Sequence, residues 1–205
     1  SGRDLFVGLV IAAVGALIIG MGIPFTAAYI TLYMFAIPAL IDLGAPPLAA
    51  HFFALFWALV SGITPPVAVT AYTAAGIAGS NMMRTAFTAV KIAIPLYFIP
   101  FFFVYDLALL GQAPFIEVLR VVATGLIGVF AISAGGAGWL LRNPNVIERI
   151  LLLGGGMLLL YPSVTTELIG AVAIIAVFLS HKYIPYFEPL QPAIDIVGRF
   201  TSKKA

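Results

Sequence analysis

The chain has 205 residues, 62% of them hydrophobic and only 9% charged, with a mean hydropathy of +1.14 and a formal net charge of +2. Soluble domains carry about 25% charged residues, so this composition excludes a water-soluble fold and puts the chain in a lipid bilayer. So small and scattered a charge also excludes nucleic acid as a partner, and zero cysteines exclude disulfides and thiolate metal sites.

Taken in chain order, residues 1–41 read as a re-entrant helical hairpin, with full hairpin-connected spans joined by tight exposed turns as the alternative. Ser1-Gly2-Arg3-Asp4 shows no basic-then-apolar-then-cleavage pattern, so no signal peptide is expected and the chain reads as cut from a longer one. The charge-free run 5–41 is broken near its middle by Gly20-Met21-Gly22-Ile23-Pro24-Phe25-Thr26. Its halves, 5–19 and 27–41, are each about 15 residues and reach roughly 22 Å at 1.5 Å per residue. That falls short of the roughly 30 Å hydrocarbon core. Residues 42–83 read as one discontinuous transmembrane helix, with halves 48–60 and 67–78 on either side of Ser61-Gly62-Ile63-Thr64-Pro65-Pro66.

Residues 84–113 predict an interfacial helix at 84–91, a crossing at 92–105 kinked by Pro95 and Pro100, and then a loop. Residues 114–182 predict C-terminal transmembrane helices at 115–141, 147–161 and 167–180. Arg142-Asn143-Pro144-Asn145 and 162–166 form the turns, and Gly154-Gly155-Gly156 permits close helix packing. Residues 183–205 read as a polar cytoplasmic tail. With Arg84 and Lys91 inside, Arg142, Arg149, Lys182, Lys203 and Lys204 fall on the same face, as the positive-inside rule requires. Arg3, beside Asp4, falls on the other face. Several crossings of one membrane are expected.

The breaks carry the chemistry. Inside hydrocarbon an interrupted helix leaves unpaired backbone groups, each costing several kcal/mol unless protein, water or an ion serves them. Such breaks at mid-membrane are how many secondary transporters make their binding sites. At the first break Gly20 and Gly22 let the backbone approach a ligand, Pro24 opens the second half-helix, and Thr26 adds a hydroxyl. At the second, Ser61 and Thr64 offer hydroxyl oxygens, Gly62 lies between them, and Pro65 and Pro66 forbid helix continuation. Half-helix N-termini suit an anion; Gly20, Ser61 and Thr64 together suit a sodium ion.

Other polar residues read as structural: Asn81 as a helix cap, Asp42 as a solvated end, and Trp57, Tyr29, Tyr33 and Tyr72 as packing aromatics. His51 reads as a proton relay or as a hydrogen-bonded packing histidine. No nucleophile elbow, zinc-protease motif, in-span acidic pair or Walker loop is present, so no enzyme is expected. Nor is any cofactor beyond bound sodium ions.

At these same residues the chain resembles the large membrane subunit of tripartite ATP-independent periplasmic (TRAP) transporters. The likeness rests on Gly20-Met21-Gly22-Ile23-Pro24-Phe25-Thr26-Ala27-Ala28-Tyr29-Ile30, Ala49-Ala50-His51-Phe52-Phe53 and Ser61-Gly62-Ile63-Thr64-Pro65-Pro66-Val67-Ala68. It continues through Ala74-Ala75-Gly76-Ile77-Ala78-Gly79 to Arg84-Thr85 and covers roughly residues 5–110. Phe25 stands where the family usually has Thr, which removes one hydroxyl. Residues 115–180 resemble, more loosely, the extra helices of fused membrane subunits that work with TAXI-type binding proteins.

The resemblance implies an all-α elevator-type secondary transporter of two inverted repeats, of which this chain holds the second with its hairpin and broken helix. It implies uptake of organic anions such as carboxylates on a sodium or proton gradient. The implied partners are a periplasmic solute-binding protein, the first repeat and the small membrane subunit, besides the lipid bilayer. A non-transporting membrane scaffold, with its glycines serving packing only, is the alternative. Polar breaks would favour transport; breaks packed by apolar neighbours alone would favour the scaffold.

Overall fold

The computed structural model describes residues 4–161 and 163–183, which are helical with short connections and contain no strand. α1 (Leu5–Gly20) starts at Asp4, whose carboxylate accepts from the Phe6 and Val7 amides at 2.9 and 3.4 Å. The chain turns at 21–24, where Gly22 takes φ +85, a conformation that glycine adopts without strain. α2 (Phe25–Asp42) then runs back along α1. Gly8 near the start of α1 abuts Leu40 and Leu43 at the end of α2, while Gly20 lies close to Ala28. The two helices are therefore an antiparallel hairpin.

α2 is longer than its apolar run suggested. Pro24 fixes φ at −58 immediately before Phe25, and the helix continues through Asp42 for 18 residues, long and apolar enough to cross a membrane. α1, with 16 residues, is shorter.

α3 (Pro47–Ser61) packs against α1, α2 and α6. Segment 62–68 is not helical, and its last residue, Ala68, is left-handed at φ 36. α4 (Val69–Ala78) therefore starts two residues later than the pattern predicted and packs against α5 (Met82–Ile92) instead of the hairpin. Asn81 caps α5 by accepting from the Arg84 amide at 3.0 Å. The predicted crossing at 92–105 is interrupted at Ala93, after which α6 (Ile94–Tyr105) begins. Pro95 falls in its first turn, where a missing N–H costs nothing, and Pro100 is buried in its interior.

α7 (Phe115–Ala137), α8 (Val146–Leu160) and α9 (Val164–Tyr183) form an up-down-up bundle. A Cβ on Gly156 would lie 2.7 Å from the Gly128 carbonyl oxygen on α7, and one on Gly155 would lie 3.1 Å from that of Gly170 on α9. Gly154 faces open space. Two of the three glycines thus let α8 touch both neighbours at backbone distance. α7 stops at Ala137, short of the predicted 141, because Gly138 turns left-handed and Arg149 donates to the Gly135 and Gly136 carbonyls at 3.0 and 3.2 Å. Asn145 and Glu148 cap α8 reciprocally, each bond 2.8 Å.

One core joins α1, α2, α3 and α6 through Leu9, Leu32, Ile37, Phe53, Trp57 and Phe103. Outside it, large apolar side chains stand uncovered, Ile77 at 86% and Phe115 at 79%. Such surface is tolerable against lipid, not water. Phe25–Asp42, Met82–Tyr105, Phe115–Ala137 and Val164–Lys182 are each long and apolar enough to cross a membrane. Arg3, Pro162 and, beyond Tyr183, the tail with Lys203 and Lys204 lie outside the described residues.

Candidate functional site

The two breaks meet. Gly20 closes α1 directly against Ser61, the last residue of α3; a Cβ on Gly20 would run into the Ser61 hydroxyl and lie 2.6 Å from its Cβ. Beside this contact lies a cavity of about 300 Å³. Gly20, Gly22 and Pro24 from the first break line it, with Ser61 and Gly62 from the second. Ile23, Phe25, Ala58, Leu59, Val69 and Thr70 complete the wall, so among the described residues no charged side chain faces the cavity.

Four helix ends therefore converge: the C-termini of α1 and α3 and the N-termini of α2 and α4. The Gly20 carbonyl would normally accept from the residue four on, but that residue is Pro24, which has no N–H. The first turns of α2 and α4 have no side-chain cap, since Pro24 and Ala68 precede them. Their leading N–H groups remain as donors, apart from that of Thr70 on α4, which is given to Gly62 O. The end of α3 is less open than the sequence suggested. Gly62 O accepts from the Thr70 amide at 3.0 Å and Ser61 O from the Thr64 amide at 3.3 Å. Each carbonyl keeps a second lone pair. The Ser61 hydroxyl donates to Ala58 O at 2.7 Å, which leaves its oxygen free to accept.

The other predicted site residues are not gathered here. Thr64 donates to Val60 O at 2.5 Å and pairs with the Tyr97 hydroxyl on α6 at 2.7 Å, away from the cavity wall. Thr26 is exposed and lines no part of it. Pro65 and Pro66 shape the connection, and Pro66 O accepts from Tyr72 at 2.6 Å. His51 Nδ1 pairs with the Tyr29 hydroxyl at 2.8 Å, its ring 5.6 Å from that of Tyr33.

Thr70 is the polar wall residue that sequence reasoning missed. It occupies the second position of α4, and a Cβ on Gly62 would stand 3.0 Å from its hydroxyl. The signal was available: a break facing a ligand exposes the first turn beyond it as well as the break itself. Among the described residues no three His, Cys, Asp or Glu side chains group as a metal site. A cation held here would be coordinated by hydroxyl and carbonyl oxygens, the donor set that suits a hard ion.

Residues 2–118 match the family described as tripartite ATP-independent periplasmic transporter, DctM component. That span is more than half of the chain and contains both breaks and every residue of the cavity wall. Most of α7 and all of α8 and α9 lie beyond it. Comparison with curated proteins and with solved structures gives no match.

Proposed function

The chain belongs to the DctM family of TRAP transporter membrane components, and on that premise we propose that the cavity between its two breaks is the solute and ion site of a secondary permease. The convergence of four helix ends on one cavity with no charged side chain carries this reading. The uncapped N-termini of α2 and α4 point partial positive charge and N–H groups at an organic anion such as a carboxylate. The Gly20 carbonyl and the Ser61 and Thr70 hydroxyls supply oxygens for a sodium ion. Thr64, bonded to Tyr97, supports the break from behind.

In this reading the hairpin and the α3–α4 break form one of two inverted repeats of an elevator transporter. The hairpin re-enters the membrane from the outer face and its tip meets the second break. The first repeat and a small membrane subunit complete the permease in the inner membrane, and a periplasmic solute-binding protein delivers the anion. The hydroxyls and open backbone groups at the breaks favour transport over a scaffold, which would need only apolar packing there.

The test is uptake by the full-length permease in proteoliposomes with its binding protein, under sodium and pH gradients applied separately. Ser61→Ala and Thr70→Val should each weaken the cation dependence of uptake. Unaltered dependence in both would remove this cavity as the coupling site.

A further inference from the structure

Beyond the family match, α7 and α9, with Leu159 of α8, line a further crevice of about 280 Å³, apolar except for Thr124 and Glu167. Glu167, in the first turn of α9, is only 8% exposed. Its Oε2 stands 3.9 Å from Arg120 Nη1 on α7, too long for a hydrogen bond. Its Oε1 is buried without any hydrogen-bond partner. Thr124 gives no relief, since its hydroxyl is turned to the Arg120 and Val121 carbonyls at 3.1 and 3.3 Å.

A buried carboxylate oxygen left unserved is costly, so the site calls for a donor from outside the protein. The charge near it specifies the donor's sign. Glu117 and Glu167 face the single guanidinium of Arg120, two negative groups against one positive, a net −1. The wall specifies the rest of the ligand, because Ile127, Ala171 and Ile175 offer only apolar contact. Both helices are candidate membrane spans, and Arg120 and Glu167 sit together near the first turn of each. That end of the bundle belongs at the depth of lipid headgroups.

We propose that this crevice binds an aminophospholipid. The primary ammonium donates to Glu167 Oε1, the phosphate meets Arg120, whose side chain is 36% exposed, and an acyl chain lies along Ile127, Ala171 and Ile175. A quaternary ammonium has no N–H to give, and an anionic headgroup has the wrong charge.

The test uses the full-length permease, delipidated in detergent and offered phosphatidylethanolamine, phosphatidylcholine or phosphatidylglycerol with identical chains. Native mass spectrometry reads retention. Phosphatidylethanolamine should be retained about tenfold over the other two, a difference of 1.4 kcal/mol. Glu167→Gln, which keeps volume and removes charge, should erase that preference. Ala171→Leu, which fills the apolar wall and leaves the acid in place, should lower phosphatidylethanolamine retention on its own, so the proposal does not hang on one variant. Equal retention of the three lipids by the unaltered protein would overturn it. So would an undiminished preference in Glu167→Gln or undiminished retention in Ala171→Leu. Competition by chainless phosphoethanolamine as strong as by the whole lipid would also overturn it, by making this a soluble-amine site.

Discussion

Gly20→Ala tests the contact on which the cavity depends. The added methyl would run into the Ser61 hydroxyl and sit 2.6 Å from the Ser61 Cβ, with the Ala28 Cβ at 3.8 Å on its other side. A long flexible side chain would swing away, but the Ser61 Cβ moves only with the backbone of α3. The helix ends must therefore part, and overpacking of this kind costs about 1–3 kcal/mol. Ser61→Gly removes both obstructing atoms. Alone it should cost about 1 kcal/mol or more, through the lost bond to Ala58 O and glycine's backbone freedom. Combined with Gly20→Ala it should cost little further, because the clash has gone. The assay is a double-mutant cycle on the full-length permease in detergent, by denaturant or thermal unfolding. Uptake is measured alongside: the double variant should regain stability yet keep weakened cation dependence, since the Ser61 oxygen is absent. Two single costs that add within about 0.5 kcal/mol would refute the contact. A Gly20→Ala protein as stable as the parent would do the same.

Pro24→Ala should restore an N–H four residues beyond Gly20 and relax the turn; expression should hold while uptake falls, and wild-type uptake would remove the first break from the site. Thr64→Val should destabilise the fold by about 1–3 kcal/mol through loss of its bond to Tyr97. It should leave the cation dependence of uptake closer to wild type than Thr70→Val does, and the reverse order would return Thr64 to the coupling site. Cysteines at positions 2 and 44 should label from the outer face and one at 82 from the inner face; labelling of 44 and 82 from one side would sink the proposed hairpin-and-broken-crossing topology.

What was legible in the sequence was local. Glycine and proline announce where a helix must stop, so both breaks could be found from residues 20–26 and 61–66 alone, and the cavity wall takes seven of its residues from them. Thr64 read as a ligand because its hydroxyl sits in a break. Its partner, Tyr97, lies 33 residues away on α6, and no spacing rule reveals that pairing. Helix ends misread for the same reason. α7 closes at Ala137 partly because Arg149, from the next helix, serves its last carbonyls. Nothing in the sequence around Glu167 sets it apart from other acids at a helix start. Only the assembled bundle, with α7 and α9 both packed on α8, leaves its Oε1 buried without a partner.

The converging ends also suggest how anion and cation could be coupled without a charged side chain between them. A helix N-terminus acts as roughly +0.5 charge and a C-terminus as roughly −0.5. Two of each around one cavity offer about one positive and one negative unit, a match for a carboxylate and a sodium ion together. Either ion alone leaves its own field, and the opposite pair of helix ends, uncompensated. In a 300 Å³ cavity the two ions would lie roughly 6 Å apart, worth about 2.8 kcal/mol at an effective dielectric of about 20. That is about a hundredfold in affinity, and by linkage each ion must raise the affinity of the other by the same factor. Binding measured on the full-length permease should therefore show anion affinity rising steeply with sodium. Sodium affinity should rise equally with the anion. An anion affinity indifferent to sodium would leave the four helix ends with no part in the coupling.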